Sequence, residues 1–363
     1  MDINKVRVIN AAGKLTALGG SAQSSGVAGA QSEAARAHVD LASLRAEVAA
    51  EIADYCGAEA ACLTSGAAAG ICISIAALVC KEQVDLVTRL PVLPNPVSIV
   101  LQAGHNINFG ADVTQMVHLT GANTVIAGSE AKVTPEDIQS TLKTGPLALL
   151  FVQSHHCIQE NRVDLATCIS LAEDAGIPVV VDAAAEDDLQ KYIALGADLV
   201  TYSGGKAFGG PTSGFIVGRR DLIKSCERQF SGIARPMKVS KEQILGLATA
   251  LQEYINRDQE NILREWARLN QLLIEELQGS TIFRLTTKPD EAGRDFERVA
   301  ISPANESYNA RELVQYLAGG EPSIRTRNHQ IAEQRILVDP RELDESDIRT
   351  IATRLVEFES QTT

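Results

Sequence analysis

The sequence predicts an α/β protein: a mostly parallel sheet covered by helices on both faces, followed by a small α+β unit. Three observations carry this. Short apolar runs of strand length recur between residues 97 and 203, and stretches of helical period separate them. The runs are apolar throughout instead of alternating, as strands covered on both faces must be. After Gly214 the alternation stops, and a long helical region gives way to short strands and a last helix.

Each element has its own signal. Residues 1–40 are rich in Gly, Ala and Ser, as in Gly19-Gly20-Ser21 and Ser24-Ser25-Gly26, and read as an irregular arm. Leu41, Leu44, Val48, Ile52 and Tyr55 then recur at helical spacing, and Gly57 supplies the stop. Strands are expected over 97–101, 124–127, 147–152, 179–182 and 199–203, with helices over 135–142, 165–175 and 187–195. Thr134 ahead of Pro135-Glu136-Asp137 has capping-box spacing with proline at the first helical position. Gly176-Ile177-Pro178 ends the following helix. Residues 215–218 follow the preceding strand at short range and are expected to pair with it antiparallel. These elements make residues 41–239 one large domain. A long helical region from Ser240 to about residue 277, strands near 283–287, 298–302 and 335–338, and a helix over 346–358 make 240–363 the second.

Composition bounds the function. The 363 residues are 45% hydrophobic and 22% charged, a globular balance that can bury a core without disulfides. A formal net charge of −13 opposes a nucleic-acid partner. The seven cysteines are odd in number, form no Cys-x-x-Cys pair and sit in apolar runs such as Ala61-Cys62-Leu63. They are expected to be buried free thiols in a reducing compartment, with no metal site. The amino terminus has no basic head and apolar run of a signal peptide, and the apolar stretch 67–80 is too short to span a bilayer. A cytoplasmic protein without a membrane partner is expected.

Four features bear chemistry. The strand 179–182 ends in Asp182, followed by Ala183-Ala184, which puts a carboxylate at the edge of the sheet where open α/β proteins bind ligands. The next strand ends in Ser203-Gly204-Gly205-Lys206, and two glycines there let the chain approach a ligand closely. Read singly, Asp182 is a helix cap or loop residue and Lys206 a solvated charge. One βα unit apart, they form the pair that pyridoxal 5′-phosphate needs: an amine for the imine and a carboxylate for the pyridine nitrogen. Ser65, Gly66 and Ala67 lead into the apolar helix, whose start offers N–H groups and a positive dipole end to a phosphate. The segment is neither a Walker loop nor a dinucleotide fingerprint, and by itself is also ordinary small-residue packing. Gln153-Ser154-His155-His156 ends the strand 147–152, and the two histidines, pointing to opposite faces, are not expected to chelate one metal together. His105, after Gln102-Ala103-Gly104, is either a solvated loop histidine or a residue that stacks on a cofactor ring.

With these residues in hand, the chain resembles the selenocysteine-synthase-like family of pyridoxal-phosphate enzymes. The resemblance runs through Ile9-Asn10-Ala11-Ala12-Gly13, Leu18-Gly19-Gly20-Ser21, Thr64-Ser65-Gly66-Ala67-Ala68, Gly104-His105 and Phe151-Val152-Gln153-Ser154-His155-His156-Cys157. It continues through Val181-Asp182-Ala183-Ala184-Ala185-Glu186, Tyr202-Ser203-Gly204-Gly205-Lys206, Gly210-Pro211-Thr212-Ser213-Gly214, Arg235-Pro236-Met237-Lys238-Val239 and Arg325-Thr326-Arg327. It covers nearly the whole chain.

The resemblance implies the fold-type-I, aspartate-aminotransferase-like architecture and a homodimer or larger oligomer with sites near subunit interfaces. It places Lys206 on the cofactor, Asp182 on the pyridine nitrogen and His105 over the ring, with Ser154 and Ala184 in the cofactor pocket. Ser65, Gly66, Ala67 and Ser203 would hold the phosphate, and Arg327 the substrate carboxylate. Arg235, Lys238 and Lys241 form a basic group for a substrate phosphate. Ala12 and Phe208-Gly209 depart from the family pattern, where a hydroxyl residue and a partly acidic pair are expected. The activity implied is α,β-elimination on a phosphorylated amino-sugar acid, giving a 2-oxo-3-deoxy acid and ammonia, with Lys206, His155 or His156 moving the proton. Aldol cleavage, racemisation, transfer of the selenocysteine-synthase kind, and cofactor binding with little turnover are the alternatives.

Overall fold

A computed structural model of the chain describes residues 6–108, 110–154, 157, 160–290, 294–306 and 308–362. In chain order its elements are β1 (Val8–Ala11), α1 (Ser25–Arg36), α2 (Leu41–Cys56), β2 (Ala60–Thr64), α3 (Ala67–Cys80), α4 (Val84–Val87), β3 (Ser98–Gln102), α5 (Val113–His118) and β4 (Asn123–Ala127). Then come α6 (Pro135–Leu142), β5 (Ala148–Val152), α7 (Leu165–Asp174), β6 (Val179–Asp182), α8 (Lys191–Ala194), β7 (Leu199–Ser203), β8 (Gly214–Gly218), α9 (Arg220–Arg228) and α10 (Lys241–Ile255). The chain ends with α11 (Gln259–Glu276), β9 (Phe283–Pro289), β10 (Glu297–Pro303), α12 (Ala310–Gly319), β11 (Ser323–Thr326), β12 (Ile336–Val338) and α13 (Glu345–Thr362). Two compact units result, one of Gln23–Ile255 and one of Met1–Ala22 with Asn256–Thr363.

The larger unit is built on a seven-stranded sheet of order β2-β8-β7-β6-β5-β3-β4. β8 is antiparallel to both of its neighbours, β2 and β7, and the other pairs are parallel. The carboxyl ends of β2, β3, β5, β6 and β7 therefore share one edge. Strand residues divide by parity between two cores. Leu149, Phe151, Val181, Val200 and Tyr202 join Val48 and Ile52 of α2, Cys168 and Ile169 of α7, and Ile244, Leu247 and Leu251 of α10. Leu150, Val152, Val180, Leu199 and Ile216 join residues of α3, α5 and α9 on the other face. α3 lies so close to the sheet that a methyl group at Gly70 would collide with Thr201.

Apart from β2, the strands of the sheet fall within a residue of the expected ranges, and α6 fits its capping box, with the Thr134 side chain and Asp137 bonded reciprocally. Other expectations are corrected. Residues 25–36 are helix α1, not an irregular arm, capped by Ser24 and tied through the Ser24 hydroxyl to Glu253 of α10 at 2.7 Å. The helical region after Ser240 is two helices, and Asp258 caps the second by accepting from the Asn261 N–H at 3.0 Å. Because α10 packs into the core of the larger unit, the boundary falls at 255/256 and not at 239/240. The helix expected over 187–195 shortens to α8, while β2 and α9 are additional.

In the terminal unit an antiparallel sheet, β12-β10-β9, and the parallel pair β1–β11 pack with α11, α12 and α13 around Leu269, Leu273, Leu313, Leu317, Ile351 and Leu355. Arg298 is 2% exposed and paired as an ion through Nη2 with Asp290 at 2.6 Å and through Nε with Asp339 at 2.7 Å. Charges this deep persist only when paired. Among the described residues, no helix is long and apolar enough to cross a membrane, and no group of three or more His, Cys, Asp or Glu is placed to hold a metal.

Candidate active site

Asp182 is the last residue of β6, in register with Val152 of β5 and Thr201 of β7. Its carboxylate thus reaches the shared carboxyl edge, where it is 7% exposed and accepts from the Ala184 N–H at 3.2 Å. Burial pushes the carboxyl up to about 6, the Lys206 charge and the Ala184 N–H pull it back, and Glu186 adds to the rise. Burial likewise lowers the Lys206 ammonium, opposed by the charge of Asp182. The two groups are thus near enough for each charge to act on the other.

The lysine is presented by a loop that doubles back. The Gly204 N–H donates to Ser213 O at 2.8 Å, and the Gly210 N–H to Gly204 O at 2.8 Å. A methyl group at Gly214 would sit 2.6 Å from Tyr202 O and 2.7 Å from the Gly66 carbonyl carbon, so the lysine loop and the start of α3 can meet only at glycine. Phe208 anchors the loop: it is 5% exposed and lies edge-on to Tyr254 at 5.0 Å. Its departure from the family pattern is therefore a core contact.

Ser65, Gly66 and Ala67 stand where β2 turns into α3. The Thr64 hydroxyl donates to Gly66 O at 2.9 Å, and the Ser65 N–H to Met237 O at 3.0 Å, which fixes the turn. No side chain caps α3, whereas Ser24, Asp40, Thr134 and Asp164 cap α1, α2, α6 and α7. The dipole end and N–H groups of α3 are thus left for an anion, and half-buried Ser203 closes β7 at the same edge. The chemistry of these residues, an uncapped helix start with an amine and a carboxyl that feel each other's charge, fits a phosphorylated cofactor.

His105 departs from expectation. Its imidazole is 0% exposed, so it presents no open face for a ring to stack on. Nδ1 lies 3.2 Å from the Val152 N–H, Nε2 lies 3.1 Å from Gln102 Nε2, and Phe151 stands edge-on at 4.7 Å. The ring bridges β3 and β5, and burial, helped by the charge of Arg162, lowers its pKa to about 4. Ser154 is 8% exposed and accepts from the Cys157 N–H at 3.1 Å. His155 and His156 lie outside the described residues.

The basic group separates. The Lys241 ammonium donates to Ala34 O at 2.6 Å, Ala35 O at 3.2 Å and also Ala37 O, so its three N–H groups close the carboxyl end of α1. It is a helix cap and not a phosphate ligand. Arg235 and Lys238 are exposed and flank Met237, whose carbonyl holds Ser65. Arg327, half-buried, belongs to the terminal unit, where its backbone bridges to Leu337, while Arg325 is exposed. Ala12 is 1% exposed and donates its N–H to Asn10 Oδ1 at 3.1 Å. Sequence reading passed over Gln102, although a polar residue closing the apolar run Ile99-Val100-Leu101 was a signal.

Comparison with known proteins sharpens this. A family model described as SelA: L-seryl-tRNA selenium transferase matches residues 120–278. A 5'-C-glycyluridine monooxygenase-decarboxylase from a Streptomyces species is 38% identical over 358 residues, 97% of this chain and 90% of that protein. A D-glucosaminate-6-phosphate ammonia lyase from Salmonella typhimurium is 36% identical over 355 residues, 97% of this chain and 95% of that protein. A solved D-glucosaminate-6-phosphate ammonia-lyase superposes with a TM-score of 0.91 at 35% identity, covering 100% of this chain and 99% of that one. Aspartate aminotransferase from Thermus thermophilus, at 14% identity and a TM-score of 0.54 over 96% and 91% of the two chains, shares the fold.

Proposed function

This chain belongs to the selenocysteine-synthase-like family of pyridoxal-phosphate enzymes, and from that premise we propose that it is an ammonia-lyase acting on a phosphorylated amino-sugar acid of the D-glucosaminate-6-phosphate kind. The observation that carries the reading is a full-length likeness to such a lyase, in sequence and in structure, together with the electrostatically coupled Asp182 and Lys206. The chain is a fold-type-I enzyme that uses pyridoxal 5′-phosphate.

Pyridoxal phosphate, when bound, supplies an electron sink for charge developing at the substrate's Cα. The protein does the rest. The start of α3, with Ser65, Gly66, Ala67 and Ser203, holds the phosphate, and Ser154 and Ala184 line the pocket. Asp182 accepts from the protonated ring nitrogen and keeps the proton there. Lys206 would provide the amine that holds the cofactor, and its Nζ, as a neutral amine, would take the proton from the substrate's Cα. Its lowered pKa, caused by burial, favours the neutral amine this requires. His155 or His156 is the second proton carrier, serving the departing 3-hydroxyl, which leaves as water. The enamine released takes water back and ends as ammonia and a 2-oxo-3-deoxy acid. Arg327 takes the substrate carboxylate, and Arg235 with Lys238 the distal phosphate, fixing orientation. On this reading the enzyme works in the cytoplasm as a homo-oligomer.

The second relative supports a rival reading, since a monooxygenase-decarboxylase is as similar to this chain as the lyase is. The two reactions leave different products. With a phosphorylated 2-amino sugar acid, ammonia and a 2-oxo acid should form in equal amounts without oxygen uptake. Oxygen uptake with release of carbon dioxide would replace the lyase reading by the oxidative one.

A further inference from the structure

Gln102 is 3% exposed and ends β3, where the chain turns through Gly104 (φ 84°) into His105. Its amide is locked in orientation by one residue far along the chain. Oε1 accepts from the Val163 N–H at 3.1 Å, and Nε2 donates to Val163 O at 3.0 Å. The second Nε2 hydrogen is left facing His105 Nε2 at 3.1 Å. The other ring nitrogen, Nδ1, faces the Val152 N–H at 3.2 Å. The imidazole is thus met by a donor at each nitrogen.

A neutral imidazole has one acceptor nitrogen and an imidazolium has none. The neutral ring accepts at one nitrogen and opposes a donor only at the other, whereas protonating His105 would set N–H against N–H on both sides, in a site already closed to water. The ring is therefore a neutral post and not an acid or base. Val152 is the last residue of β5 and lies in register with Asp182, and the next N–H, of Gln153, donates to Asp182 O at 2.8 Å. The Val163 bracket holds the far end of the connection that leaves β5 and carries Ser154 and Cys157. Both ends of that connection, and the strand that aligns Asp182, converge on one amide.

We propose that Gln102 is a positioning residue for the active site: it keeps His105 neutral and in place, and thereby fixes the end of β5 against Asp182 and the end of the Ser154 connection at Val163. It touches neither cofactor nor substrate. The proposal is independent of which amino acid the enzyme takes, so it stands or falls apart from the lyase reading.

The test uses holoenzyme and three readouts. In Gln102→Leu, amide exchange at Val152 and Val163 should quicken at least about tenfold relative to β4, as expected of a local opening. The pH at which the bound cofactor's visible absorbance titrates should also shift, because Asp182 is no longer held. Gln102→Glu preserves side-chain volume and guards against loss of folding in the first variant. Its carboxylate accepts at Nε2 and favours the charged ring, so the His105 resonances, expected to be flat from about pH 5.5 to about pH 8 in the wild type because burial lowers the pKa to about 4, should titrate within that range in this variant. Unchanged exchange at Val152 and Val163 in Gln102→Leu would overturn the proposal. So would His105 resonances that ignore Gln102→Glu, or a cofactor titration that neither variant moves: Gln102 would then be a core amide and nothing more.

Discussion

A buried carboxyl and a half-buried ammonium whose charges interact set limits on each other's ionisation. At Asp182 burial wins, leaving a folded-state pKa of about 6 against an ordinary value of 3.8. The folded protein without cofactor then binds this proton more tightly than the unfolded chain. The resulting stability is present below about pH 4 and is lost as pH rises through about 6, an effect of order 3 kcal/mol. Cofactor-free wild type should therefore lose stability between about pH 4.5 and about pH 7 relative to Asp182→Asn, which lacks the titration. Parallel urea curves for the two proteins at both pH values would contradict it. In the holoenzyme the same substitution should leave the cofactor bound but lower turnover by at least about a hundredfold, since an amide cannot stabilise a protonated ring nitrogen. Lys206 has a direct assay: after borohydride reduction, peptide mapping should find the cofactor on the 206 peptide, and label on another lysine would remove its role. Both residues were legible in the sequence because strand ends declare themselves by an apolar run stopping at a polar residue. The enclosure of His105 was not, because it depends on Val152, 47 residues further along the chain.

At the scale of elements, packing decides what local sequence leaves open. α6 was legible to the residue because its stop and start are chemical, a capping box with proline. α1 was not: its Ser-Gly-Val-Ala-Gly-Ala start has little helical signal, and it is held by Ser24 to Glu253 and by Lys241 over its last carbonyls. β2, an Ala-Ala-Cys-Leu-Thr segment, is a strand because β8 pairs with it along its length. Lys241 therefore makes an element-level prediction. Lys241→Met should cost about 1–2 kcal/mol in unfolding free energy by freeing the α1 carbonyls. It should leave the ratio of kcat/KM for phosphorylated and unphosphorylated substrates unchanged. Arg235→Ala and Lys238→Ala, on the turn that holds Ser65, should lower that ratio about tenfold or more, because a lost charge-assisted bond acts only on the phosphorylated form. Equal losses on both forms would assign these cations to the cofactor phosphate or to a subunit interface.

The whole molecule carries two built-in reporters that fall in different units. All seven cysteines lie in the larger unit as buried free thiols, and burial pushes Cys56, Cys72, Cys157 and Cys168 up to about 12. They should be silent toward a thiol reagent until that unit opens. The single tryptophan, Trp266, lies in α11 of the terminal unit, edge-on to Phe296 at 5.5 Å. The proposed cofactor contacts, from Ser65 to Lys206, belong to the larger unit. In urea, thiol reactivity thus follows one unit and tryptophan fluorescence the other. Cofactor at about one hundred times its Kd should stabilise the larger unit by about 2.7 kcal/mol and move the thiol transition to higher urea. The fluorescence transition should move less, since Trp266 reports a unit built from the two ends of the chain. Full denaturation should release seven thiols, with reducing and non-reducing gels in agreement. If fluorescence and thiol midpoints coincide with and without cofactor and shift together, the two units unfold as a single cooperative body, and the boundary at 255/256 has no energetic meaning.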